Sequence, residues 1–170
     1  EEIWFPDPRQ YHPQNGIIAV GGDLSAERLA LAYSLGLFPW FNEGEEILWW
    51  CPDPRFVLFP KELKVSKSMR KILRNEEFSF TENQCFEEVM RNCFYGVEVG
   101  NVFCGESMFS KVSNASKAGF LHFVLNNQEH YQLIDCQVYS EHLESLGARD
   151  IPKKDFLSIL SEGERKYLSE

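Results

Sequence analysis

Two short strings in the C-terminal half carry side chains whose types and spacing suit bond-making chemistry. In LIDCQV, Asp135 and Gln137 stand two apart in an apolar run that reads as a strand. Strand alternation puts them on one face and Cys136 on the other. In CGESMF, Glu106 shares a face with Cys104 and Met108 and is framed by Phe103, Met108 and Phe109. Carboxylates and amides among apolar residues are costly to bury unless they are hydrogen-bonded or used. Taken by themselves, these residues mark an acidic polar site in an α/β domain. The alternatives are a structural polar network for Asp135 and Gln137, and a half-exposed charge at a strand end for Glu106. A third string group, FPWF and LWWCPDP, sets Trp40, Trp49 and Trp50 beside proline turns. Such aromatics either form core or stack on nucleobases, a contact worth roughly 1–3 kcal/mol per base.

Charge narrows the partners. A net charge of −9 repels phosphate unless the cations are gathered in one place. They are gathered in KELKVSKSMRKILRN, where Lys64, Lys67, Arg70, Lys71 and Arg74 recur at steps of three and four. A helix there places most of them on one face and turns Met69, Ile72 and Leu73 to the core. That face is either a phosphate contact or a solvated surface. Five cysteines form no CxxC pair and no zinc spacing, which points to reduced thiols, no metal and a cytoplasmic protein. Four histidines, His12, His122, His130 and His142, supply no evident base; a Cys136–His142 pair is disfavoured because alternation turns Cys136 away from Asp135. GxSxG, P-loop, GxGxxG and HExxH motifs do not occur. No apolar run reaches membrane-span length and no signal-peptide pattern opens the chain, so no membrane partner is expected. The chain opens on Glu1 rather than Met, which suggests a trimmed or incomplete start.

The elements that must position these residues follow from periodicity and punctuation. The apolar run IIAV leads into the turn Gly21-Gly22, and Ser25 is a candidate cap for a helix stopping at Gly36. A compact loop holds the tryptophans. Strands are expected at RFVLF and EFSFTEN, with the basic helix between them and a helix over Gln84–Asn92 after them. FYGVEVG and NVFCGESMF read as a strand pair turning at Gly100-Asn101. NASKAGFLHFVLNNQE reads as a helix capped by Asn114, YQLIDCQV as a strand, SEHLESLG as a short helix, and Pro152 opens the last helix. With 170 residues this makes one substantial α/β domain plus a small appendage.

In order, PQNGIIAVGGDLSAERLALAYSLGLFPWF, LWWCPDPRFVLFP, VSKSMRKILR, FCGESMFSKVSNASK, LIDCQV and SLGARDIPKKDF span about Phe5 to Phe156. This series resembles the leucyl/phenylalanyl-tRNA–protein transferase family. The resemblance implies a small N-terminal α/β domain over residues 1–62 and an N-acetyltransferase-like domain over 63–170. It implies transfer of Leu or Phe from aminoacyl-tRNA to proteins with N-terminal Arg or Lys, which marks them for degradation. No cofactor is required, because the donor is an activated ester, and a monomer is expected. The family's catalytic candidates fall on Asp135, Gln137 and Glu106. Trp40 falls on the donor site, and Phe103, Met108 and Phe123 match the pocket for the apolar side chain. Lys64, Lys67, Arg70, Lys71 and Arg74 are the expected tRNA contacts.

Two rival readings remain at the level of sequence. One is a domain of the same fold that binds RNA or a peptide terminus without chemistry. The other is an acyl-CoA-dependent acetyltransferase, which needs a pyrophosphate-binding turn that NASKAG does not supply. The chain departs from the family where a helix ending at Cys93 meets the strand at Phe94 with no turn between them. Family members carry several dozen more residues there. If residues are missing, the Cα atoms of Cys93 and Phe94 should lie much farther apart than the ~3.8 Å of a peptide link.

Overall fold

The structure, a computed structural model, describes residues 3–81, 94–108 and 114–167. It is mixed α/β, with a small N-terminal part and a sheet-rich main part, as the sequence leads one to expect. The chain divides into two compact units: Glu1–Arg55 with Val99–Asn101 and Asp150–Glu170, and Phe56–Glu98 with Val102–Arg149.

In the first unit, β1 (Ile17–Val20), β2 (Phe38–Pro39) and β3 (Leu48–Trp50) form an antiparallel sheet in the order β1-β3-β2. The tryptophan loop is thus partly strand. Trp49 is buried and its indole N–H donates to the Gly21 carbonyl over 2.9 Å. Helix α1 (Ala26–Ser34) ends where Gly36 adopts a φ of 78°, as its sequence signal requires. Any Cβ at Gly36 would sit 2.7 Å from Leu157 and 2.9 Å from Phe156, so the glycine also admits the last helix, α5 in the numbering used below. Ser25 makes no side-chain cap. Asp23 does the local work instead: its Oδ1 accepts the Ser25 N–H at 2.9 Å and the Arg28 Nε–H at 3.3 Å. These hydrogen bonds, Ser25's first, bring its carboxyl down to about 2. Arg55 is buried, with its guanidinium over the rings of Phe38 and Phe156 at 4.7 and 4.4 Å.

In the second unit the strands β4 (Arg55–Leu58), β5 (Phe94–Val99), β6 (Val102–Met108) and β7 (Leu133–Gln137) run in the order β5-β6-β7-β4. The chain passes between the units within β4, on either side of Val99–Asn101, and again within β8 (Arg149–Ile151). Among the described residues the helices of the second unit are α2 (Lys67–Arg74), α3 (Ala115–Asn126) and α4 (Glu141–Ser145); α5 (Lys153–Tyr167) belongs to the first. Phe56, Leu58, Met69, Phe103, Phe120, Leu121 and Ile134 are among the buried residues that bind sheet and helices together.

Four local expectations change. No strand forms over 77–81; Phe80 instead stacks on His122 at 4.1 Å, so its apolar side is covered without strand pairing. Asn114 takes a left-handed φ of 64° and makes no side-chain cap. Helix α2 starts at Lys67, so Lys64 lies outside it, its N–H tied to the Leu146 carbonyl at 2.8 Å. The short strand β8 was not foreseen. The helix expected over Gln84–Asn92 lies outside the described residues, as do Cys93 and hence its separation from Phe94.

Candidate active site

The candidate site grows from the pairing of two parallel strands. In β6 and β7, Val102 faces Leu133, Phe103 faces Ile134 and Cys104 faces Asp135. Parallel strands keep equal offsets in step. Two residues farther along each strand, Glu106 and Gln137 therefore meet, and Gln137 Nε2 donates to Glu106 Oε1 at 2.7 Å. A carboxylate can only accept, so the amide NH2 of Gln137 must face Glu106 and its carbonyl oxygen turns the other way.

Asp135 is fully buried, and its Oδ1 accepts the Gln137 backbone N–H at 2.9 Å. That local bond bends the chain out of the strand. Gln137 adopts a φ of 64°, and Val138 N–H closes a tight turn on the Cys136 carbonyl at 2.7 Å. On the other side of β7, Phe56 pairs with Gln137 while its neighbour Val57 pairs with Asp135. Cys136 is thus the extra residue of a bulge, a device that re-aims a strand's last side chains. Sequence alternation brings Asp135 and Gln137 together correctly, but the structure does so with a bulge and a left-handed residue that alternation does not contain.

Behind this corner lies an aromatic cluster. Phe103 is buried with its ring 4.6 Å from Phe123, 5.3 Å from Phe94 and 5.5 Å from Tyr131. The expected pocket residues Phe103 and Phe123 are therefore in contact. Met108 closes β6, and its side chain lies outside the described part of the chain. Sequence reasoning missed Phe94, Phe120 and Tyr131 as members of the cluster. The three-residue step from Phe120 to Phe123 on one helix face was the available signal. Tyr131 is pinned by its hydroxyl, which donates to Glu98 Oε2 at 2.8 Å.

The remaining expected residues stand elsewhere. In the first unit, Trp40 is 58% exposed and tilted against Trp50 at 5.7 Å, whose indole N–H donates to the Trp40 carbonyl. In the second, α2 carries Lys67, Arg70, Lys71 and Arg74, with Met69 buried beneath them. Arg70 and Arg74 line a groove of about 530 Å³ together with Leu63, Val65, Leu73 and Leu125, and Arg70 Nε donates to the Val65 carbonyl at 3.0 Å. Among the described residues no three His, Cys, Asp or Glu side chains converge as a metal site, and no helix is long and apolar enough to cross a membrane.

A profile of the leucyl/phenylalanyl-tRNA protein transferases matches residues 57–94 and 94–161, and the profile of their N-terminal domain matches residues 22–53. The leucyl/phenylalanyl-tRNA–protein transferase of Flavobacterium johnsoniae is 46% identical over 205 aligned residues, covering 94% of this chain and 96% of its own length. That of Syntrophobacter fumaroxidans is 42% identical, over 95% of this chain and 88% of its own. That of Yersinia enterocolitica is 41% identical, over 93% and 85%. The chain is accordingly an enzyme of the aminoacyltransferase class. It belongs to the leucyl/phenylalanyl-tRNA–protein transferase family. The match to the main profile is in two parts that meet at Phe94.

Proposed function

We propose that the protein moves Leu or Phe from the 3′ end of an aminoacyl-tRNA to the α-amino group of proteins beginning with Arg or Lys, marking them for degradation. The observation that carries the reading is the connected trio of Glu106, Gln137 and Asp135 at one strand end. The acceptor ammonium first gives up one proton, which Asp135 accepts; the neutral amine then attacks the ester carbonyl, a C–N bond forms, the ester C–O bond breaks, and the amine's second proton passes to the ribose oxygen, which leaves as the hydroxyl. The α-amine has an ordinary pKa of about 7.7–8.0, so it arrives largely as an ammonium at neutral pH. Glu106 and Asp135 favour that cation's approach. Gln137 presents its carbonyl oxygen to an amine N–H, because its nitrogen is held by Glu106. Orienting ester and amine in this way can supply roughly 7–11 kcal/mol of the barrier.

Phe103 and Phe123, with Met108, form the pocket for the apolar donor side chain, and Trp40 offers a face to the terminal adenosine. The cations of α2 and Lys64 bind tRNA phosphates. The protein acts as a monomer in the cytoplasm. The experiment supplies leucyl-tRNA with a reporter peptide beginning with Arg, and an identical peptide beginning with Ala. Leucine on the Arg peptide alone is the expected result. No transfer by the folded, full-length protein would leave a non-catalytic binding domain.

A further inference from the structure

Just past Gln137 the chain exposes two apolar side chains, Val138 and Tyr139. Tyr139 keeps 60% of its surface in solvent, yet its ring is held at two points. One edge meets Phe56 at 5.4 Å and 62°, and its hydroxyl donates to Glu144 Oε2 at 2.9 Å. Phe56 is also the cross-strand partner of Gln137, so the ring and the amide are built around the same residue. The hydrogen bond to Glu144 raises the phenol's pKa, which keeps it a proton donor. Glu141, in the first turn of α4, adds a second exposed carboxylate to the same helix as Glu144.

An exposed aromatic face with a carboxylate at its rim attracts one kind of ligand. The ring quadrupole draws a cation over the face, and the carboxylate accepts its N–H bonds. Anions are repelled. Gln137 and Tyr139 are separated by two peptide links, so their Cα atoms are at most roughly 7 Å apart. Arg and Lys side chains have about that reach, whereas short side chains end well before it. An acceptor whose α-amine sits at Gln137 can therefore lay its charged end on Tyr139.

We propose that Tyr139 and Glu144 form the subsite for the basic side chain of the acceptor's first residue. The assignment rests on the acceptor reaction proposed above and names what enforces its preference for Arg and Lys. A purely structural role, joining the turn to α4, would alter stability and all acceptors alike.

The test measures kcat and KM with leucyl-tRNA for peptides beginning with Arg, Lys and Ala. It uses the unmodified protein, Tyr139→Leu, Tyr139→Phe and Glu144→Gln. Both Tyr139→Leu and Glu144→Gln should raise KM for the Arg and Lys peptides roughly three- to tenfold while KM for leucyl-tRNA holds. Tyr139→Phe, which keeps the ring, should lose less. An Arg-over-Ala selectivity equal to that of the unmodified protein in both Tyr139→Leu and Glu144→Gln would overturn the assignment. So would an equal rise in KM for the tRNA. Absence of any transfer by the unmodified protein is a separate outcome, which sinks the parent reaction and this subsite with it.

Discussion

The corner at the ends of β6 and β7 and the helix α2 belong to the same unit, yet they are built on opposite terms. Helix α2 follows local preference throughout: Ser66 caps it by accepting the Met69 N–H at 3.3 Å, Met69 goes inward, and the cations go outward. The corner departs from local preference at each step, with a buried carboxylate, a bulge and a non-glycine residue at positive φ. A surface that only attracts charge needs no special backbone, because Coulomb attraction is tolerant of direction. Under the proposed reaction the corner has one amide oxygen to aim, and the bulge and the left-handed residue, held by the surrounding sheet, set the direction of that side chain.

This contrast breaks first at Asp135. Replacing it with Asn should lower single-turnover leucine transfer by about 10²- to 10⁴-fold, the span of lost acid–base assistance, with melting temperature as the control for folding. Transfer at the original rate would make the corner a structural network, no different in kind from α2. Neutralising Lys67, Arg70 and Lys71 together should weaken tRNA binding and reduce its log–log salt slope by roughly 2–3. An unchanged slope, read from filter binding across salt concentrations, would return α2 to plain solvated surface.

Gln137 sharpens the comparison further. A left-handed residue other than glycine costs roughly 1–2 kcal/mol. Denaturant unfolding should therefore find Gln137→Gly more stable than Gln137→Ala by about 1 kcal/mol, although both lose transfer. Equal stability would mean the conformation is not strained. Ser66→Ala should cost about 1 kcal/mol of stability and leave transfer by the corner intact.

The smallest effect concerns His142 on α4. Burial, and then the nearby Lys117, lower its pKa from the ordinary 6.5, so the folded state favours the neutral ring. Its contribution is present above 6.5 and is lost as pH falls through the lower folded value. His142→Gln should accordingly flatten the fall in stability on the acid side of 6.5, as followed by melting temperature.

The same contrast explains how far the sequence could be read. Helix α2, the stop at Gly36 and the strand turn at Gly100 depend on neighbours a few residues away, and they are legible. Asp135, Gln137 and Glu106 were legible as residue types within apolar strands. The bulge at Cys136 was not, because it is a register relation with β4, far away in the chain. Ser25 is placed at the helix start as its sequence suggests, but its side chain caps nothing; the local bond there is its own N–H to Asp23. The two-residue β2 and three-residue β3 are too short for periodicity to show. Tyr131 looked like ordinary strand entry until its hydroxyl met Glu98 from another strand.

The way the chain is shared between the units has a bearing on its synthesis. The first unit takes its sheet from the opening third of the sequence and α5 from the final stretch. Leu37 and Phe38 emerge from the ribosome early, but the Phe156 and Leu157 side chains against which Gly36 and Arg55 are fitted emerge more than a hundred residues later. The second unit has all its strands and helices before α5 is made, so it can consolidate while the first unit waits. Because the stretch made last is also the last to leave the ribosome, α5 is the final element released, and the first unit can close only then.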